Sequence, residues 1–328
     1  MDVVVRRRQG ETASMKVVSL FSGAGGLDLG LIRAGNEVVW ANDIDANAVE
    51  TYRKNIGGHI VCADIKDVKM RDIPDSPDVV VGGFPCQGFS QANLLRDVDD
   101  DRNILYRFFR KVIAAKQPKF FIAENVKGIL SLGGGSAIRK ILADFKKAGY
   151  VLDVHLVNMA DYGVPQHRQR VIIIGQRKDL GREVRFRFPL PTHAKNGEGG
   201  LAEWRTIRDE LDRFPDPDKP NEIANHVCSA YKLAYRNFTG HRPTDPDKPC
   251  PTILARGNGG GGVCAIPHYN GKRRLTIRES AAIQTFPDDF EFIGSMNSCY
   301  RQIGNAVPVR FGEFLGRELV RLEKEDER

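Results

Sequence analysis

Between residues 16 and 176, short apolar runs alternate with segments whose apolar residues recur at helical spacing. KVVSLF (16–21), EVVWAND (37–43), DVVVGG (78–83) and KFFIAEN (119–125) have the length and apolar content of buried strands. LDLGLIRAG (27–35), ANAVETYRKNI (46–56), RNILYRFFRKVIAA (102–115) and AIRKILADFKKAG (137–149) carry the helical spacing. The punctuation agrees with this division. Gly35 and Gly149 stand where a left-handed C-cap is wanted, Asp45 is placed to cap the second helix, and the third stops before Gln117-Pro118. VLDVHLVN (151–158) and RVIIIGQ (170–176) read as two closing strands joined by a turn at Pro165. The alternation predicts an α/β fold: a doubly wound, mostly parallel sheet with helices on both faces.

The pattern changes after residue 180. Proline, glycine and charge become dense in RFPDPDKP (213–220), RPTDPDKPCP (242–251) and RGNGGGG (256–262), and helical periodicity fades. Regularity returns at Leu275, where Thr276 and Glu279 form a capping box for IRESAAIQTF, and a final amphipathic helix covers roughly 308–324. The organisation expected is a leader at 1–14, a first domain at 15–180 and a smaller loop-rich domain at 181–275. A tail at 276–328 is expected to return to the first domain.

Composition narrows the class. With 328 residues, 41% hydrophobic and 28% charged, the chain can bury a sizeable core without disulfide staples. The six cysteines form no C-x-x-C pair, which argues against a zinc site and for reduced thiols in a cytoplasmic enzyme. The opening MDVVVRRRQGETASM has too short an apolar run for a signal peptide, and no stretch approaches a membrane span. A net charge of +7 agrees with a polyanionic partner and does not by itself require one.

In a doubly wound sheet, ligands gather at the carboxyl ends of the strands. Four such ends are chemically unusual. SLFSGAGGLDLG (19–30) places glycines between a strand and a helix, where backbone can approach a ligand closely; the alternative is a tight turn that needs glycine. Asp43 and Asp45 end the second strand, about 20 residues past that loop, where an acid commonly holds ribose hydroxyls. Together these favour an adenosine-containing cofactor, and the absence of G-K-[ST] disfavours a nucleoside triphosphate. Asp64, after a third short strand, is placed to reach an adenine ring or to close a surface turn. GGFPCQGFS (82–90) holds Cys86 on a rigid strand-end loop, against the alternative of a buried structural thiol. Glu124 in AENVKGIL lies at the same edge, where a half-buried carboxyl suits a proton donor or a helix cap.

These segments resemble the cytosine-5 DNA methyltransferase family. FSGAGGLDLGL resembles its cofactor loop, GFPCQGFS its nucleophile loop and ENV its cytosine-binding motif. QHRQRVIIIG (166–175), RRLTIRESAAIQTFPDDF (273–290) and QIGNAVPV (302–309) match three further motifs in the family's order. The resemblance implies a Rossmann-like S-adenosylmethionine-dependent methyltransferase fold with a small target-recognition domain, coincident with the loop-rich stretch. It implies methyl transfer from S-adenosyl-L-methionine to carbon 5 of a flipped-out cytosine in double-stranded DNA, with Cys86 as covalent nucleophile and Glu124 acting at N3. Arg168 and Arg170 match the arginines of the fourth motif and would favour the thiolate or hold the base and its phosphate.

The implied cofactor site comprises Phe21, Ser22, Ala24, Gly25, Gly26, Leu27, Asp43, Ile44, Asp64, Ile65, Gly82, Pro85, Asn305 and Ala306. Phe21 would stack on adenine, Asp43 hold ribose and Asp64 the adenine amine. Ile44 departs from the family, which often has tryptophan there. DNA contacts are expected from Gln87 and Ser90 in the mobile catalytic loop, from Arg256 and Asn258 at base edges, and from Lys272, Arg273 and Arg274 at phosphates.

No metal is expected. A monomer and a cognate restriction endonuclease acting on the same site complete the picture. Rival readings are an RNA cytosine-5 methyltransferase and a non-catalytic DNA-binding descendant. A thymidylate synthase leaves the glycine loop and the QIGNAVP segment unexplained, and a zinc deaminase lacks H-x-E and P-C-x-x-C.

Overall fold

A seven-stranded sheet in the order β3-β2-β1-β4-β5-β7-β6 organises the chain. The computed structural model describes residues 14–85, 104–229, 244–255 and 266–326. The strands are β1 (Lys16–Leu20), β2 (Glu37–Asp43), β3 (Ile60–Cys62), β4 (Val79–Gly82), β5 (Phe120–Val126), β6 (Tyr150–Asn158) and β7 (Gln169–Arg177). The first five run parallel, and β7 enters antiparallel between β5 and β6. The two closing strands are therefore not added in chain order: the later one takes the inner place. The strand order reverses between β1 and β4, which opens a crevice at their carboxyl ends.

Successive strand residues face opposite layers, as a period of two requires. Val17, Val79, Val81, Phe120 and Ile122 pack on one side with Leu31, Val49, Tyr52 and Phe311. Val18, Val80 and Phe121 pack on the other with Phe109, Ile113, Ile141 and Phe145. The first layer is covered by α1 (Gly26–Arg33), α2 (Ala46–Asn55) and α8 (Val309–Asp326), and the second by α3 (Ile104–Lys116) and α4 (Ser136–Lys147). Asp45 caps α2 by accepting from the Asn47 and Ala48 amides.

α8 brings the tail onto α1 through glycine contacts. A Cβ at Gly30 would stand 2.4 Å from the Val309 carbonyl oxygen, and one at Gly312 would stand 2.8 Å from that of Leu27. Only bare backbone permits so close a crossing.

The rest of the tail behaves differently. α6 (Ile277–Ile283) and α7 (Met296–Asn305) share a third core with α5 (Ile207–Leu211), Cys250 and Ile253. The 276–305 segment bridges the two regions. It shares this core with the loop-rich stretch, and it also reaches α2, where Asn55 bonds Glu291, Thr51 accepts from the Ile293 amide and Arg301 pairs with Asp45. α8 packs on α1 beside the sheet. The capping box Thr276/Glu279 opens α6 with both hydrogen bonds formed. A short ribbon of β8 (His193–Ala194) and β9 (Ala202–Glu203) lies at the entry to the loop-rich region.

Candidate functional site at the carboxyl edge

The turn after β1 is built for close approach. Phe21 and Gly23 have φ of 56° and Gly25 of 87°, so the loop holds three residues in left-handed geometry. Such geometry costs a side-chain-bearing residue about 1–2 kcal/mol, which makes Phe21 a strained position. Asp43, ending β2, fixes the loop: its Oδ2 accepts from the Gly23 amide at 2.8 Å and its Oδ1 from the Asp45 amide at 2.8 Å. Burial raises the Asp43 pKa from its ordinary value, and those backbone donors oppose the rise. The Ser22 hydroxyl turns inward to Ser19 at 2.9 Å, and Ser19 donates in turn to the buried Asp28 at 2.7 Å.

The remaining expected cofactor residues fall around this turn. Ile44 presents an aliphatic face that is 66% exposed, beside the half-buried Asp43. Asp64 is half-buried and accepts from the Lys66 amide, while Ile65 is buried in the core. Ala24, Gly26 and Leu27 are buried beneath the loop. A Cβ at Gly26 would stand 2.3 Å from the Val307 carbonyl oxygen and 3.2 Å from the Ala306 Cβ. The fold thus brings Ala306, just past the end of α7, against a loop about 280 positions earlier in the chain, with the exposed Asn305 beside it in sequence. At Gly23, by contrast, a Cβ would meet no atom within 4 Å. The loop faces open space there.

The second half of the site lies at β4 and β5. Gly82 packs so closely that a Cβ would be 2.5 Å from the Leu20 carbonyl oxygen. A Cβ at Gly83 would be 3.0 Å from Glu124 Oε2, so the carboxylate sits directly over the backbone leading to Pro85. Asn125 Nδ2 donates to the Phe84 carbonyl at 3.0 Å and ties that segment to β5. Asn125 was not singled out from sequence; the signal was a polar pair, Glu124-Asn125, at the end of an apolar strand. Cys86, Gln87, Ser90, Arg256 and Asn258 lie outside the described residues.

The two expected arginines separate. Arg170 Nε meets Glu124 Oε1 at 2.8 Å, with both side chains largely buried. The glutamate is therefore an acceptor in an ion pair. Arg168 is 1% exposed and donates to the carbonyls of Ile253 at 3.1 Å and Gly304 at 2.9 Å. Burial, then the neighbouring Arg170, lowers its pKa to about 9. Its expected contact with a base or phosphate is corrected by this placement: the guanidinium is spent on two buried carbonyls and clamps the loop-rich region to the end of α7.

A glutamine pair beside Arg168 does similar work and was also missed. Gln166 accepts from the Ile253 amide and donates to Gln284, which donates to the Ile303 carbonyl at 2.7 Å.

The basic triplet also needs correction. Lys272 is exposed, but Arg273 spends its guanidinium on both oxygens of Glu279 at 2.7 Å. Arg274 is 6% exposed and lies 3.6 Å over the Tyr300 ring. Glu279 of the α6 capping box draws Arg273 inward and the Tyr300 ring covers Arg274, leaving Lys272 as the exposed one of the three. Among the described residues no cluster of histidine, cysteine and acidic side chains could hold a metal ion.

Comparison with known proteins fits this arrangement. The family model for the C-5 cytosine-specific DNA methylase matches residues 15–321. The chain is 41% identical to the Type II methyltransferase M.NgoFVII of Neisseria gonorrhoeae, over 89% of this chain and 83% of that protein. It is 36% identical to the Type II methyltransferase M.FnuDI of Fusobacterium nucleatum, over 93% of this chain and 94% of that protein. Among solved structures, a protein assigned as a DNA modification methyltransferase encoded within an E. coli prophage superposes with a TM-score of 0.73 at 27% identity, covering 94% of this chain and 99% of that one.

Proposed function

Because the chain belongs to the C-5 cytosine-specific DNA methylase family, we propose that it methylates carbon 5 of a cytosine swung out of a DNA duplex, with Cys86 as covalent nucleophile. It is a methyltransferase of DNA, it serves a restriction-modification setting, and its cofactor is S-adenosylmethionine. The residues on the carboxyl edge fit that cofactor. The open face above Gly23, the Asp43 carboxylate and the exposed Ile44 side chain suit a nucleoside with a charged amino-acid arm. Asp43 would hold the ribose, Phe21 and Ile44 the adenine, Asp64 its amine, and Asn305 and Ala306 the methionine end.

When bound, S-adenosylmethionine supplies an electrophilic methyl group. The protein must make carbon 5 of cytosine nucleophilic enough to take it. The Cys86 thiolate adds to carbon 6, which breaks aromaticity and moves electron density to carbon 5. A proton taken up from solvent and held between Glu124 and N3 neutralises the negative charge that this addition places on the ring. After methylation, water or hydroxide from solvent takes the carbon-5 proton. The freed electron pair reforms the C5–C6 double bond as the C6–S bond breaks, and the N3 proton is released as the thiolate leaves. Arg170 orients Glu124 and balances its charge. The target base must leave the stack to reach this edge, at a cost of roughly a few kcal/mol.

The observation that carries the reading is the seating of Glu124 on Gly83 at the root of the segment leading to Cys86. That contact supports a carboxylate and a thiol serving one ring. A monomer suffices for this chemistry, and the Type II naming of the relatives supports a cognate endonuclease cutting the same sequence. Among the described residues no helix is long and apolar enough to cross a membrane.

The test is incubation with labelled S-adenosylmethionine and DNA, followed by bisulfite mapping of a host plasmid. The expected result is label at one sequence, abolished by Cys86→Ala, with cofactor binding retained. Label on RNA alone, or transfer that survives Cys86→Ala, would overturn it.

A further inference from the structure

On the flank shared by α1, α6 and α8, near α5, the protein holds a cavity of about 430 Å3. Arg33, Arg205, Arg213, Arg310 and Arg317 line it, against only two acids, Glu210 and Glu313. Each glutamate answers two guanidinium groups. Glu210 pairs with Arg205 at 2.7 Å and with Arg213 at 3.3 Å. Glu313 pairs with Arg33 at 3.5 Å and with Arg317 at 3.4 Å. Asp288 takes a further bond from Arg213, and positive charge still exceeds negative. Arg310 is the odd one out: half-buried in the first turn of α8, it feels the charges of Glu313 and Glu210 only from a distance, with no ion pair within 4 Å among the described residues. Burial first, then the like charge of Arg205, lowers its pKa. The same two arginines, after burial, press the pKa of His193 down.

This cavity lies apart from the catalytic crevice. Arg33 closes the last turn of α1, at the opposite end of that helix from the glycine loop. Several guanidinium groups converge on one space, beside the N-terminal end of an 18-residue helix. Such a setting favours a multiply charged anion that can accept hydrogen bonds from more than one side. A planar carboxylate uses one fork; a tetrahedral phosphate can use several.

We propose that this cavity is a binding site for a phosphate-bearing ligand, gripped by Arg310 together with Arg205 and Arg317, and distinct from the cofactor and cytosine sites. Two sources can present that chemistry: a free polyphosphate, or the phosphodiester backbone of the flanking duplex. Phe286, on the wall, links the site to the catalytic edge, since a Cβ at Gly26 would lie 3.1 Å from its ring.

The experiment is calorimetric titration of the full chain with inorganic pyrophosphate at fixed ionic strength, in wild type, Arg310→Gln and Arg310→Lys. A parallel arm measures affinity for short and long duplexes of random sequence. If the source is free polyphosphate, pyrophosphate binding is saturable and weakens roughly tenfold in Arg310→Gln, with partial retention in Arg310→Lys, which keeps charge without the fork. If the source is DNA, the same variant loses affinity for the long duplex and not the short one. The proposal is overturned if neither affinity depends on Arg310. Should Arg310→Gln fail to match the wild-type melting temperature, Arg205→Gln, which lies outside α8, is read in the same two arms. The site does not rest on the proposed mechanism: both arms read binding, and neither reads methyl transfer.

Discussion

Glu124 and Arg170 meet side by side on neighbouring antiparallel strands, Oε1 to Nε at 2.8 Å, at the edge where β4 delivers its loop. Neither group is well solvated, so each depends on the other. Arg170→Met leaves a desolvated carboxylate without its counter-charge and is expected to cost about 3 kcal/mol of stability. Adding Glu124→Gln to Arg170→Met should return most of that stability, because the orphaned charge is gone, while methyl transfer stays lost. Urea melts of the four proteins in the cycle, read beside transfer rates, check this. Equal destabilisation of the single and double variants would show that the pair does not act as a unit.

Arg168 predicts a different phenotype from its neighbour two positions on. Its guanidinium donates to Ile253 and Gly304, one in the loop-rich region and one just before Asn305. Arg168→Met removes two charge-assisted bonds between these segments. The expected result is a stability loss of about 3 kcal/mol with weaker binding of both DNA and cofactor. Equilibrium binding measured separately for each ligand is the readout. Weakening confined to DNA would mean that Arg168 is not a clamp on the α7 end.

Much of the first domain was legible because its strands are continuous apolar runs and its caps are local. Asp45 and the Thr276/Glu279 pair needed no tertiary information, since each bonds within one turn of chain. The place of β7 was not legible: QRVIIIGQR states that it is buried, not that it runs between β5 and β6. The arginines were misread for a related reason. Side-chain type in sequence does not reveal which cations the fold draws inward. Arg170 lies in β7 and Arg168 just before it, yet one meets a carboxylate and the other meets carbonyls. Arg273 and Arg274 looked like a surface run, while burial of Glu279 and the Tyr300 ring turned both inward. The glycines of α1 and α8 gave no signal of their mutual contact, because close approach is a property of two helices together.

That helix contact gives a third prediction. Gly30→Ala would set a methyl 2.4 Å from the Val309 carbonyl oxygen and 2.7 Å from the Glu313 amide, both backbone atoms that cannot swing aside. The expected loss is about 1–3 kcal/mol, the usual range for overpacking, despite alanine's better helix propensity. Gly23→Ala meets no atom and carries only the cost of its left-handed φ, about 1–2 kcal/mol, yet its methyl enters the space assigned to the cofactor. Thermal melts and S-adenosylmethionine affinity should therefore rank the two variants in opposite orders. The same ranking by both measurements would remove the cofactor from the face above Gly23.

The last prediction concerns pH. Asp28 is fully buried below the glycine loop, where Ser19 donates to it at 2.7 Å and the hydroxyls of Tyr52 and Ser22 lie close enough to favour its charged form. Burial raises its pKa from 3.8 to about 6, with the Ser19 hydroxyl opposing the rise. Between those two values the folded protein holds a proton that the unfolded chain has already released. The contribution of this proton is complete below pH 3.8 and is lost as pH climbs through about 6. The loss amounts to about 3 kcal/mol, from roughly two pKa units at 1.36 kcal/mol each. Asp28→Asn keeps an acceptor for Ser19 and has no charge to bury. Its stability relative to wild type should therefore rise by up to that amount between acid and neutral pH. Other carboxylates titrate in both proteins and cancel in the difference. Denaturant melts of the two proteins across that interval decide the matter. Parallel stability curves would mean that Asp28 is ionised in the folded protein throughout, its hydroxyl donors outweighing burial.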